Sequence, residues 1–71
     1  MSNDHKEMFG KRVRALRKEQ GLSQIQLAVL VGIDRSYMGF LERGERNPSL
    51  EVITKIAAAL NVGPDELLKV K

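Results

Sequence analysis

This sequence predicts an all-α fold of five short helices in one compact domain, and three observations carry that prediction. Apolar residues recur at helical spacing in the stretches between Gly21, Gly32, Gly44 and Gly63. Nowhere do β-branched residues alternate with polar ones over the length of a strand. Residues that favour helix starts, Ser23, Asp34, Ser49 and Pro64, stand where the apolar periods begin. With 71 residues the chain is expected to form a single domain over residues 1–71.

The first helix is expected over residues 5–20, with Phe9, Val13 and Leu16 on one face and Gly21 as its stop. The second opens at Ser23, whose spacing to Gln26 fits a capping box. The hydroxyl accepts from the Gln26 amide and the Gln26 side chain returns to the Ser23 amide. It closes at Gly32. The third follows Asp34, a residue suited to capping, and covers residues 35–43, with Gly44 as its stop. A polar loop, Glu45 to Pro48, leads to Ser49 as cap of a fourth helix over residues 50–60. That helix is apolar over a wide arc, with Leu50, Ile53, Ala57 and Leu60 in one stripe and Val52, Ile56 and Ala59 beside it. The last helix opens on Pro64, followed by Asp65 and Glu66 at the positive end of its dipole and then by Leu67, Leu68 and Val70.

Apolar residues at 42% and charged residues at 30% describe a chain that folds rather than one that stays disordered. The absence of cysteine and the single histidine, His5, exclude disulfides, zinc fingers and thiol chemistry, so no metal and no cofactor are expected. There is no phosphate-cradling glycine loop, and one small domain has no room for a cleft with a supporting shell, so no catalytic residues and no enzyme are expected. The N-terminus is polar, and the longest apolar runs, 27–31 and 56–60, are far short of a membrane span or a signal peptide. A soluble, cytoplasmic protein without membrane association is the expectation. A core of this size contributes only about 3–5 kcal/mol, and one neighbouring helix could hardly cover the arc of the fourth. A homodimer is therefore expected, with Val52, Ile56, Leu67, Leu68 and Val70 at the interface.

The net charge of +3 is unevenly spread. Residues 1–36 hold seven basic and four acidic side chains, whereas residues 37–71 hold five of each. A basic first helix is by itself an ordinary solvated face; the motif that follows it gives the charge a use. The second and third helices, joined by a short glycine-containing turn, make a helix-turn-helix. Ala28 is small enough for the helices to cross closely, Gly32 allows a positive φ in the turn, and Leu27, Val31, Ile33, Met38 and Leu41 form the apolar seam. With the seam buried, Arg35, Ser36, Tyr37, Gly39 and Phe40 are expected to project outward as a face able to enter a major groove.

The ordered set Leu22-Ser23-Gln24, Leu27-Ala28 and Gly32-Ile33, followed by Glu42-Arg43-Gly44-Glu45-Arg46-Asn47-Pro48-Ser49-Leu50, resembles the helix-turn-helix family of phage repressors, Cro and xenobiotic-response-element-type bacterial regulators. The resemblance covers about residues 8–68. Within that family, Asp34-Arg35-Ser36-Tyr37 together with residues 42–47 is especially similar to controller proteins of restriction-modification systems. The resemblance implies a sequence-specific DNA-binding transcription regulator, a repressor or controller protein, that meets a palindromic double-stranded operator as a homodimer.

It also implies roles at matching positions. Gln24 would reach a phosphate or buttress a base-contacting side chain. Arg35, Ser36 and Phe40 would read bases with Tyr37 beside them, and Arg43, Arg46 and Asn47 would hold the backbone. Arg17 and Glu42 would form a structural ion pair between the first and third helices. The chemistry agrees, since Arg35 offers a bidentate fork to guanine O6 and N7, Ser36 is adaptable, and Phe40 offers an apolar contact such as a thymine methyl.

Some positions stay open. Phe40 is bulkier than is usual there and either meets a base or packs back against the domain. Tyr37 is either a phosphate-binding hydroxyl or a rim aromatic. Ile25, Val29 and Leu30 are commonly polar in relatives; the N-terminal segment with Met8 is expected to cover Ile25 and Val29, the alternative being an apolar patch for a partner such as RNA polymerase. The alternative function is the DNA-binding antitoxin of a toxin-antitoxin pair, against which stands the lack of an extension after the fifth helix. An interaction module that has lost DNA binding fits less well with Arg35, Arg43 and Arg46 together.

Overall fold

Local capping rules set several of the helix boundaries in the computed structural model, which describes residues 4–68. Among these residues are five helices, α1 Asp4–Glu19, α2 Gln24–Val31, α3 Arg35–Glu42, α4 Leu50–Leu60 and α5 Pro64–Leu67. Both halves of the expected capping box form: the Gln26 amide donates to Ser23 Oγ at 3.0 Å and the Ser23 amide to Gln26 Oε1 at 2.8 Å. Ser49 caps α4 by accepting from the Val52 amide at 3.1 Å. Asp34 holds the N-cap position of α3 with extended backbone but makes no side-chain hydrogen bond there. At the far end of α4 the chain is reversed by Asn61, in the left-handed region at φ 60°, rather than by Gly63. The turn between α2 and α3 depends on Gly32, whose φ of 85° lets the Ile33 amide return to the Ala28 carbonyl at 3.0 Å.

Helix α1 packs on α3, α4 and α5, and α2 packs on α3 and α4. The buried core takes Phe9, Val13 and Leu16 from α1, Leu27, Ala28 and Val31 from α2, and Met38 and Leu41 from α3. Ile53, Ile56, Ala57 and Leu60 from α4 and Leu67 from α5 complete it. Polar ties lie over this core. Arg12 donates through Nε to the Glu66 carbonyl and through Nη2 to Glu66 Oε1, both at 2.9 Å, joining α1 to α5. Gln20 Nε2 donates to the Leu60 carbonyl at 2.6 Å, satisfying the end of α4.

Two sequence expectations about α4 and α5 do not hold in the fold. Ile56 and Leu67, expected at an interface between copies, have no exposed surface at all and belong to this chain's own core. The reason is that α1, α2 and α5 all lie against α4, so its wide arc is covered within one chain. Leu50, expected in one apolar stripe with Ile53, Ala57 and Leu60, does not share their burial and is 75% exposed, and Leu68 is 51% exposed. Val52 is half-buried, and Val70 lies outside the described residues.

Gly10 marks the closest approach of α1 to α3. A β-carbon there would meet the Leu41 carbonyl oxygen and stand 2.6 Å from that of Glu42. Backbone atoms cannot swing aside. In an exposed helix interior Gly→Ala is favourable by about 1 kcal/mol, but Gly10→Ala is expected to destabilise this protein by about 1–3 kcal/mol net, because the helices must part. A lower urea midpoint is the expected reading; an unchanged or raised midpoint would place α1 farther from α3.

Candidate nucleic-acid interface

The outward face of α3 is positioned by what its inward face buries. Met38 and Leu41 are wholly enclosed, and Glu42, in the last turn, is 7% exposed. Both Glu42 oxygens are engaged: Oε2 accepts from Arg17 Nε at 2.7 Å, and Oε1 from Arg17 Nη2 at 3.0 Å and Gln24 Nε2 at 3.1 Å. Arg17 Nη1 donates in addition to the Leu22 carbonyl at 2.9 Å. The ion pair expected between α1 and α3 is thus present, nearly dry, and shared with α2 through Gln24. Charge-assisted hydrogen bonds of this length in a low-dielectric setting fix three helices at one point behind the exposed face.

Arg35 and Ser36, in the first turn of α3, are exposed. Tyr37 is half-buried and packs against the core, so it serves the fold while part of it remains accessible. Gly39, expected to project outward, is buried. The Arg43 guanidinium covers it, with Nη1 3.0 Å from where a β-carbon would stand, and Gln24 Oε1 lies 3.6 Å from the same point. Gln24 therefore sits beside α3 with its amide donating to Glu42, a buttress from α2 to α3.

Phe40 is half-buried and its ring carries two guanidinium groups: Arg43 Cζ lies 5.2 Å and Arg46 Cζ 4.9 Å from its centroid. Arg43 Nε also pairs with Glu45 Oε2 at 3.2 Å, both side chains being about half exposed at 55% and 52%. Arg46 and Asn47 are exposed in the loop after α3. Arg35, Ser36, Phe40, Arg43, Arg46 and Asn47 thus all lie on α3 or the loop that follows it. This positively charged, hydrogen-bonding strip is backed by a rigid core and suits a polyanion with readable edges.

On α2, Ile25, Val29 and Leu30 are 57%, 73% and 60% exposed. The covering expected from the N-terminal segment is not seen among the described residues, because α1 is directed against α3, α4 and α5. Together with Leu22 and Gln26 these side chains line a shallow, almost wholly apolar depression. Among the described residues no cluster of His, Cys, Asp and Glu is arranged to hold a metal ion, and no helix is long and apolar enough to cross a membrane.

Sequence reasoning missed the Phe40 stack and Gly10. The spacing of three between Phe40 and Arg43 would have revealed one half of the stack, since residues so spaced share a helix face.

Known proteins share this fold. The helix-turn-helix family HTH_3 matches residues 13–67. The restriction-modification controller protein C.AhdI from Aeromonas hydrophila is 55% identical and superposes with a TM-score of 0.85 over 87% of this chain and 94% of its own. Control protein C.BamHI from Bacillus amyloliquefaciens is 42% identical over 69 residues, 96% of this chain and 85% of its own. SinR, a master regulator for biofilm formation solved in complex with DNA, is 38% identical, with a TM-score of 0.84 over 87% of this chain and 100% of that one.

Proposed function

The chain belongs to the helix-turn-helix family of DNA-binding transcription regulators, which are not enzymes, and from that premise we propose that it binds a palindromic operator in the cytoplasm as a homodimer, acting as a restriction-modification controller. The observation that carries this reading is the outward face of α3. Its first turn offers Arg35 and Ser36 to solvent, while its last turn is locked by the ion pair of Arg17 and Glu42. A helix so held can enter a major groove with its N-terminal residues on base edges. Arg35 and Ser36 read bases, with Tyr37 and Phe40 beside them, Gln24 buttresses from α2, and Arg43, Arg46 and Asn47 hold the phosphates. The controller reading draws on the similarity to C.AhdI and C.BamHI.

Titration of the protein with duplex DNA at several salt concentrations tests this directly. Binding that weakens linearly on a log–log scale with salt supports it, and no binding at low salt contradicts it.

Leu50, Val52 and Leu68 are large apolar side chains of α4 and the end of α5 that solvent still reaches, and they form the dimer contact in this reading. Analytical ultracentrifugation at high micromolar concentration is expected to give a dimer, and Leu68→Glu a monomer. A monomeric parent protein would remove the dimer. In the dimer, a two-fold pair of α3 helices about 34 Å apart would meet half-sites about ten base pairs apart.

The exposed face of α2 favours one further element, a protein contact such as RNA polymerase. Val29→Glu is expected to leave DNA affinity unchanged and to abolish retention of polymerase on the protein–DNA complex. Equal retention by the variant would exclude this face.

A further inference from the structure

Phe40 does not join the core cluster, yet it is half-buried, and what covers it is charge. Two guanidinium groups from different parts of the chain, one at the C-cap of α3 and one in the following loop, stand within 5.2 and 4.9 Å of one ring centroid. Two like charges on one ring repel each other, so something must hold them there. The ring quadrupole attracts both, the negative end of α3 favours a cation at Arg43, and Glu45 pairs with Arg43 at 3.2 Å. Gly39 makes the stack feasible, since Arg43 Nη1 already lies 3.0 Å from where a β-carbon would stand on that residue. The assembly holds two cations and one carboxylate, which leaves it poised for a further anion.

We infer that Phe40 is a positioning residue whose ring pre-sets the Arg43 and Arg46 guanidinium groups to receive a DNA backbone phosphate. The inference deepens the DNA-binding reading and rests on it. An arginine in a free loop must give up rotamer freedom when it meets a phosphate; one already stacked gives up less and binds more tightly for the same contact. Phe40 acts through its two neighbours, and the ring needs no base to account for it.

The test combines a measurement on the free protein with a mutant cycle. In the free protein the Nε–H resonances of Arg43 and Arg46 are shifted upfield by the ring current, and Phe40→Leu removes the shift while leaving the protein folded at the temperature of the binding measurement. With a mixed-sequence duplex as probe, Phe40→Leu weakens binding about fivefold, because the two arginines must then be ordered on binding, and Phe40→Tyr restores it. In an Arg43→Ala/Arg46→Ala background, Phe40→Leu has no further effect. Parent-like affinity in Phe40→Leu overturns the inference. So does a fivefold loss that persists in the double-alanine background, which would assign the ring to a direct base contact. A parent protein that binds no duplex at low salt overturns the DNA-binding reading itself, and the inference with it.

Discussion

Glu42→Ala is expected to cost about 3–5 kcal/mol, because it strands a buried arginine rather than deleting a surface contact. Arg17 is 8% exposed, and without Glu42 its Nε and Nη2 lose their acceptors, leaving only the Leu22 carbonyl at Nη1. Gln24 loses its acceptor too. A stapleless domain of this size has a margin of about the same magnitude, so the variant should be largely unfolded at physiological temperature. Removing both charges together, as in Arg17→Met/Glu42→Leu, should cost much less, since no uncompensated ion remains. The exposed pair of Lys55 and Glu51, 3.2 Å apart, provides the contrast, with Glu51→Ala costing no more than about 0.5 kcal/mol. Thermal melts of the three variants check this; an unchanged melting temperature for Glu42→Ala would mean that water solvates Arg17 freely.

Arg35→Ala is the change expected to damage DNA recognition most. Two parallel hydrogen bonds to one guanine contribute about 1–3 kcal/mol per half-site, and a symmetric dimer counts them twice. The loss should fall on one base pair of each half-site, with preference there relaxed and the other positions intact. Arg46→Ala should behave differently. Its side chain lies in the loop against Phe40, and a phosphate is its proposed partner, so all sequences should weaken alike and the salt slope should fall by about one unit per lost contact. Binding to an operator, its single-base variants and random DNA at several salt concentrations separates the two behaviours. Altered base preference in Arg46→Ala, with a uniform loss in Arg35→Ala, would reverse the roles assigned to them.

What could be read from the sequence divides along the range of the interactions involved. Ser23, Gln26 and Ser49 announce their helix starts because capping joins residues three apart. The Arg17–Glu42 pair is long-range, spanning 25 positions, and was legible only through the family pattern. Gly10 was not legible at all. Inside a helix a glycine reads as a local cost, and its justification, the carbonyls of Leu41 and Glu42, lies in another helix.

Apolar periodicity marked α4 and α5 as sticky without saying what would cover them, so Ile56 and Leu67 were assigned to a partner when their own chain encloses them. The same limit explains Ile25 and Val29, whose covering depended on the direction in which α1 leaves. At Phe40 both readings considered from sequence, a base contact or packing against the domain, left out the arginines that stack on it. Arg46 reaches the ring from a loop whose path no periodicity encodes.

Selection of bound duplexes from a random pool, carried out in parallel with the parent protein and Arg35→Ala, tests most directly whether the exposed face of α3 reads DNA. The parent should enrich a palindrome with half-site centres about 34 Å apart and a guanine in each half-site, and Arg35→Ala should lose selection at that guanine alone. A pool that the parent leaves unenriched, or one enriched identically by Arg35→Ala, would contradict recognition through α3.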